Sequence, residues 1–226
     1  MRRAHDVGGM EGFGPLTPDS GEYGFHADFE RRMFGITMCA LGKGLVTSVD
    51  EFRWGVEQLA PEEYFASNYY ERWISPIERA LFDRGQLGPG ELTRRAQEIA
   101  AGASVPRLDE PEWSDGFVGF VRTAGSFGQP ADATARYKPG DRIRLKDVDP
   151  PVHTRLPTYA RGKVGVIERV HGRNILPDVR AVKQGDVWEH TYLIVFDAQA
   201  VFGERAEAGQ QLTLDVWESY IESLEA

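Results

Sequence analysis

The stretch His153-Thr-Arg-Leu-Pro-Thr-Tyr-Ala-Arg-Gly-Lys-Val-Gly165 divides the chain into two parts of different character. Its internal Pro157 and the proline pair just before it favour an extended, rigid loop, because proline fixes its own φ and restricts the preceding residue. The alternating run that follows, from Val164 to Val170, indicates a strand. We therefore predict a rigid loop that leads into a strand and holds Arg155 at a defined position.

The chain before this loop carries helical patterns, and the chain after it carries strand patterns. Apolar residues recur at helical spacing in segments that we predict as helices, at about 27–41, 48–59, around 64, 69–82, 91–101 and 113–123. Downstream, short alternating segments predict strands at about 142–146, 163–170, 191–196, 212–216 and 219–221. Residues 171–174 and 186–190 are predicted as loops. Short strands with glycine- and proline-rich connections are typical of a small barrel.

These patterns predict an α+β chain of four segments. An extended N-terminal arm covers residues 1–25, a helical domain 26–124, a linker 125–136 and a small β-barrel domain 137–226. Apolar residues recur among the glycines of the arm. The arm is therefore either a floppy terminus or a segment that packs onto a partner chain.

Composition excludes several classes of protein. A chain of 226 residues with 41% hydrophobic residues can bury a core, which a disordered composition cannot. The net charge is −9, and acidic residues outnumber basic ones on both sides of residue 136, so a nucleic-acid binder is not expected. Cys39 is the single cysteine and is predicted to be a buried small hydrophobe. With no apolar run long enough to span a membrane and no secretory signal, a cytoplasmic setting is expected.

Common catalytic motifs are missing from the sequence. The five histidines show no metal-ligand spacing, and no glycine-rich phosphate loop or Gly-x-Ser-x-Gly elbow occurs. On these grounds the chain does not resemble an enzyme that works alone.

Three features could still carry chemistry. Arg53 lies between Phe52 and Trp54, so it either snorkels over aromatic rings or points at an oxyanionic group in an interface. Tyr69 and Trp73 are four residues apart and share a helix face. Together with Phe52 they could line an apolar pocket, although an aromatic run at helical spacing usually belongs to the core. Arg155 is the third feature.

At these residues the chain resembles the nitrile hydratase beta subunit. The stretch 153–165 resembles the signature of that family, H-x-R-x-x-x-Y-x-R-G-x-x-G. Further similar segments follow in the same order over nearly the full length: His5-Asp6 through Pro15, Asp50-Glu-Phe-Arg53, Tyr69-Tyr70-Glu-Arg-Trp73, Leu176-Pro-Asp178, Glu189-His-Thr-Tyr192 and Val216-Trp-Glu-Ser-Tyr220-Ile. The start, Met1-Arg-Arg-Ala, and the loop from Val179 to Val187 depart from the family pattern.

The resemblance implies a subunit of a hydro-lyase that adds water to a nitrile to give an amide. In the family an alpha subunit holds cobalt or iron through a Cys-x-x-Cys-Ser-Cys cluster with two oxidised cysteines, and alpha–beta dimers often pair again as alpha2-beta2. The beta chain itself holds no metal. Trp73 favours the cobalt class. The C-terminal strands would form an SH3-like barrel, and the arm would embrace the alpha subunit.

The same match implies roles for seven residues. Arg53 and Arg155 would hydrogen-bond the oxidised cysteine oxygens, which suits a permanently charged, five-donor guanidinium. Five other side chains would line the nitrile pocket: Val49, Phe52, Tyr69, Trp73 and Met38.

Two other functions remain open from the sequence. The segments 139–145 and 161–167 resemble the KOW-type pattern of small RNA- or protein-binding barrels, although the acidic balance argues against nucleic acid. A thiocyanate hydrolase-like subunit is the nearer alternative. In that enzyme the two parts of this chain are separate chains, so an unbroken chain favours nitrile hydratase.

Overall fold

The computed structural model describes residues 3–15, 24–106, 109–123 and 128–224. The helices are α1 Asp28–Gly42, α2 Val49–Glu57, α3 Pro61–Ala66, α4 Ile74–Asp83, α5 Glu91–Ala100, α6 Pro111–Thr123, α7 Pro177–Ala181 and α8 Ala198–Phe202. The strands are β1 Arg142–Leu145, β2 Val164–Ile175, β3 Trp188–Asp197, β4 Gln211–Trp217 and β5 Ile221–Ser223. No helix of the described ranges is long and apolar enough to cross a membrane.

Local signals set the ends of the helices that matter most for function. The Ser48 hydroxyl caps α2 by accepting from Glu51 N at 3.0 Å, whereas the Glu51 carboxylate accepts from Thr47 N at 2.6 Å, so only half of the predicted capping box forms. The helix predicted at 69–82 is divided. A 3₁₀ turn at Glu71–Trp73 precedes α4, and this places Pro76 in the first turn of α4, where its missing N–H is tolerated.

The strands form one antiparallel sheet in the order β4-β3-β2-β1-β5. Strand β2 runs five residues beyond the prediction and includes 171–174, and β3 begins at Trp188. The prediction of loops at 171–174 and 188–190 is therefore wrong. Two register shifts in β2 explain the difference, because a bulge lets pairing continue after simple alternation has ended.

The α+β class is confirmed, but a closed barrel is not. Strands β4 and β5 stand at opposite ends of the strand order, and no ladder joins them among the described residues. Strand β5 has only three residues, which pair with β1. The sheet is therefore an open one.

Each part of the chain has its own core. The helical core contains Met33, Val46, Phe52 and Ile77, and the core of the sheet contains large side chains from every strand: Ile143, Leu145, Ile167, Tyr192, Ile194, Phe196, Val216 and Ile221. Cys39 is exposed, so its predicted burial is wrong. The buried stripe of α1 is Met33, Thr37 and Ala40, which leaves Cys39 outside it.

The two parts meet where α7, a helix that the sequence did not predict, packs against α2. The described part of the N-terminal arm lies on its own chain. Asp6 accepts from Thr158 N at 2.9 Å, Gly8 lies against the Tyr159 ring, and Arg205 Nη1 donates to Gly9 O at 3.3 Å. The described part of the arm is therefore ordered on its own chain, and its packing onto a partner chain stays a prediction. Of the predicted linker, 125–127 lie outside the described residues, and Gln129 pairs with Arg173 of β2.

Candidate functional site

Arg53 projects from α2 with a nearly free guanidinium group. Its side chain is 47% exposed, and Nη1 lies 3.4 Å from Asp50 Oδ1. Such a long, exposed contact contributes little stability. The side chain is therefore free to turn towards another anion.

The backbone of Arg155 is held by a hydrogen bond, whereas its side chain is exposed. Its N–H donates to Tyr220 Oη at 3.1 Å. The residue is exposed, and no hydrogen bond or ion pair joins its guanidinium group to another described residue. The rigid loop thus presents a cation without neutralising it.

An aromatic wall stands beside Arg53. The Trp73 ring lies edge-on to Phe52 with centroids 5.3 Å apart, and Tyr69 also lies 5.3 Å from Trp73. Arg72 supports the wall, because its Nε donates to Tyr64 O and its Nη2 to Ser67 O. Phe52 is buried, whereas Tyr69 is 63% exposed. The aromatic wall is therefore packed into the protein at Phe52 and accessible to solvent at Tyr69.

One cleft of about 420 Å³ brings all seven predicted residues together. It lies between α1, α2, the segment 64–73 and the loop that follows β1. Its lining includes Arg53, Arg155, Val49, Phe52, Tyr69, Trp73 and Met38. Residues that are distant in sequence thus share one surface, which combines two cations with an apolar wall.

The sequence did not single out the acid and the imidazoles beside the arginines. Glu57 Oε1 is hydrogen-bonded to His153 Nδ1 at 2.8 Å, and His5 Nε2 lies 3.6 Å from the same oxygen. Glu57 and His5 also line the cleft. Two sequence spacings could have identified Glu57 and His153: Glu57 follows Arg53 by one helical turn, and His153 precedes Arg155 by two residues.

Burial governs the electrostatics of this cluster. It lowers the pKa of His5 below its ordinary value of 6.5, against the raising effect of the Glu57 and Asp6 carboxylates. His153 is completely buried. Five buried atoms lack a hydrogen-bond partner among the described residues: Arg3 Nη1, His5 Nδ1, Thr37 Oγ1, Glu57 Oε2 and His153 Nε2. Of their residues, His5, Thr37 and Glu57 line the cleft, so its floor keeps hydrogen-bonding capacity.

The cleft can attract anions and hold a small apolar group. Within the described ranges, no three His, Cys, Asp or Glu side chains gather into a group that could hold a metal ion. The fold and the cleft thus define a class of protein: an α+β chain with two separate cores and a cleft in which two guanidinium groups lie beside aromatic rings.

The chain belongs to the nitrile hydratase beta subunit family. The family model of the N-terminal part of that subunit matches residues 1–116, and the model of its C-terminal part matches residues 126–223.

Similar proteins span the whole chain. The cobalt-containing nitrile hydratase subunit beta of Pseudonocardia thermophila is 34% identical, and the match covers 98% of this chain and 96% of that protein. The low-molecular weight cobalt-containing nitrile hydratase subunit beta of Rhodococcus rhodochrous is 32% identical, with 98% and 99% covered. A solved thiocyanate hydrolase chain of Thiobacillus thioparus is 26% identical over 53% of this chain and all of that one. Its TM-score of 0.41 is too low to bear on the fold or the activity.

Proposed function

We propose that this chain completes the active site of a nitrile hydratase, in which water adds to a nitrile to give an amide. In this proposal Arg53 and Arg155 bind the oxidised cysteine ligands of a metal that the alpha subunit holds. One observation carries the proposal: the two arginines come from separate motifs and parts of the chain, yet they line one cleft with the predicted pocket residues.

The chemistry of the arginines suits this role. A guanidinium group stays charged at any working pH and donates along two parallel N–H bonds, which matches the paired oxygens of a sulfinate. Neither arginine has a strong partner within the described part of the chain, so both can act on an external oxyanion. Oxyanions that a partner chain buries at an interface would be stabilised by these two cations, because a buried charge without a counter-charge is costly.

The apolar wall suits the substrate. A nitrile is a small, neutral and linear group that accepts weak hydrogen bonds at nitrogen only. Phe52, Tyr69 and Trp73 would contact its organic part, with Val49 and Met38 at the sides of the cleft. These side chains bind and orient the substrate and exclude water from its apolar end.

Cobalt is the metal that the relatives favour, since two of them carry it in their names. When bound by the alpha subunit, it would polarise the nitrile or activate the attacking oxygen. Arg53 and Arg155 would then neutralise and orient its oxidised ligands.

The wider arrangement follows from the same proposal. Residues 26–124 and 137–226 would be two domains joined by a linker at 125–136, since their core clusters share no residue. The bulged sheet would be an open form of an SH3-like barrel, because one core collects side chains from all its strands. We further propose an alpha2-beta2 assembly in the cytoplasm.

An assay of two substrates tests the function. The chain is co-expressed with an alpha subunit that carries Cys-x-x-Cys-Ser-Cys, and the purified complex is offered acrylonitrile and thiocyanate in parallel. We expect acrylamide from the first and no turnover of the second. Turnover of thiocyanate alone would assign the chain to a thiocyanate hydrolase instead.

A further inference from the structure

Two of the family-like motifs that contribute no residue to the cleft lie beside the loop of Arg155. Leu176-Pro-Asp178 leads into α7, and Val216-Trp-Glu-Ser-Tyr220-Ile connects β4 to β5. Neither Asp178 nor Tyr220 lines the cleft of the two arginines. Tyr220 is buried in the core of the sheet and Asp178 is partly buried, so their polar groups need hydrogen-bond partners.

The structure joins these two motifs to the loop 153–165. Tyr220 is buried in the core of the sheet, with its ring near that of Trp217. Its hydroxyl group donates to Asp178 Oδ2 and accepts from the backbone N–H of Arg155 at 3.1 Å. One oxygen atom thus connects α7, the turn before β5 and the loop that presents Arg155.

The protonation states of Tyr220 and Asp178 are compatible with both hydrogen bonds of the Tyr220 hydroxyl group. Burial raises the pKa of Tyr220, and the Asp178 charge raises it further, so the phenol keeps the proton that it donates. Burial also raises the pKa of Asp178, which the hydrogen bond from Tyr220 opposes. The Tyr220 lone pair then remains available to the Arg155 N–H.

We propose that Tyr220 and Asp178 are positioning residues that fix the backbone of Arg155 and thereby aim its guanidinium group. The inference rests on the proposed function for its effect on activity, but not for its effect on the loop. The guanidinium group has no partner of its own among the described residues. The hydrogen bond to the Arg155 backbone therefore fixes the position from which the side chain extends. A shift of about 1 Å in such a group can cost about 100-fold in rate.

Helix α7 also connects the Tyr220–Asp178 pair to the helix of Arg53. Helix α7 carries Asp178 near its N-terminus and packs against α2, which carries Arg53. The Tyr220–Asp178 pair therefore lies between helix α2, which carries Arg53, and the loop that carries Arg155. Loss of the Tyr220 hydroxyl group would loosen the loop that carries Arg155 while leaving the end of α2 in place.

Tyr220→Phe tests the proposal, and Tyr192→Phe is its matched control. Tyr192 is also a buried tyrosine of the same sheet whose hydroxyl group donates to a carboxylate, that of Glu218. It does not line the cleft, and among the described residues no hydrogen bond joins it to Arg155. Each variant loses one buried tyrosine–carboxylate bond, so both should lose similar thermal stability.

The two variants are compared as complexes with the alpha subunit. We expect Tyr220→Phe to lower kcat for nitrile hydration by about 10- to 100-fold with a much smaller change in KM, because the arginine acts on the reacting centre rather than on substrate affinity. Tyr192→Phe should keep wild-type kcat. Asp178→Asn should also lower kcat, because the Asp178 carboxylate accepts from the Tyr220 hydroxyl group. The effects of Asp178→Asn and Tyr220→Phe should be less than additive, since the two side chains share this bond.

A second measurement does not depend on activity. Amide hydrogen exchange in the peptide that contains Arg155 should be faster in Tyr220→Phe and unchanged in Tyr192→Phe. Equal exchange and equal kcat in the two variants would overturn the proposal. A wild-type complex that hydrates no nitrile would instead refute the proposed function, and the exchange result would still decide whether Tyr220 positions the loop.

Discussion

Arg155 and Arg53 differ in how the chain supports them. The backbone of Arg155 is fixed by a hydrogen bond, and its side chain is open. Arg53 is fixed by its place in a capped helix, and its side chain has a weak contact with Asp50. In both cases the chain orders the Cα position and leaves the charged group available.

Substitution by lysine tests the use of these charged groups. Arg53→Lys and Arg155→Lys keep the charge but lose the two-pronged donor, so each should lower kcat for hydration by about 100- to 1,000-fold, as loss of an oxyanion donor does. Both complexes with the alpha subunit should stay intact on gel filtration. Arg142→Lys, on an exposed position of β1 outside the cleft, is the control. Wild-type activity in both site variants would remove the proposed role.

His5 should make stability depend on pH. Its folded-state pKa is lowered, so the unfolded chain binds the proton more readily. The stability that this group contributes is complete above about pH 6.5 and is lost as the pH falls from there to the folded-state pKa. The thermal midpoint of His5→Gln should therefore fall less than that of wild type between pH 7.5 and 5.5.

The control for this measurement is His26→Gln, since the His26 side chain is 63% exposed. We expect its thermal midpoint to follow the wild-type curve. Parallel curves for wild type and His5→Gln would show that burial of His5 does not govern this pH range.

At the scale of elements, the bulge in β2 decides how the end of the predicted linker meets the sheet. Gly172 has a φ of +123°, and a Cβ atom there would lie 2.3 Å from Gln129 O. The bridge between Gln129 and Arg173 runs beside it. Glycine is thus required at this position by backbone conformation and by space together.

Two glycine substitutions separate these causes. Gly185 has a φ of +98° but open space around its Cβ position. Gly185→Ala should cost about 1–3 kcal/mol of unfolding free energy from backbone strain. Gly172→Ala should cost clearly more, because the clash adds to the strain. Chemical unfolding of both variants measures the difference, and equal losses would contradict the role given to the close contact.

At the scale of the whole molecule, the two parts of the chain are joined by polar contacts as well as by packing. The bond between Glu57 and His153 connects the helix of Arg53 to the loop of Arg155. Glu57 lies one helical turn after Arg53 and His153 lies two residues before Arg155, so this bond couples the supports of the two cations. The cleft contains both arginines only when the two parts are in place.

The metal content of the purified chain tests this view of the assembly. Expressed alone, the chain should contain no stoichiometric cobalt or iron, because its proposed contribution is cationic and its described residues include no metal-ligand cluster. The complex with the alpha subunit, prepared in the same medium and measured by elemental analysis, is the control and should contain one metal per alpha–beta pair. A stoichiometric metal on the isolated chain would overturn the division of roles.

Much of the element content could be predicted from local patterns. Helices α1, α2 and α5 lie within two residues of their predicted starts and ends, because capping residues and glycines mark them. Helices α7 and α8 were missed, since five-residue helices carry too little periodicity to detect. The loops predicted at 171–174 and 188–190 failed because a bulge breaks the alternation on which a strand prediction depends.

The sequence by itself determined the α+β class and the change from helical to strand patterns, because these depend on residue type and spacing. The family and the seven residues of interest followed from the resemblance of several motifs to the nitrile hydratase beta subunit. Only the tertiary structure decided that the described part of the arm lies on its own chain, that the sheet is open and that Tyr220 accepts from the Arg155 backbone. These features depend on contacts between residues far apart in the chain. No local pattern encodes such a contact, since its energy arises from burial and hydrogen bonding that exist only after the chain has folded.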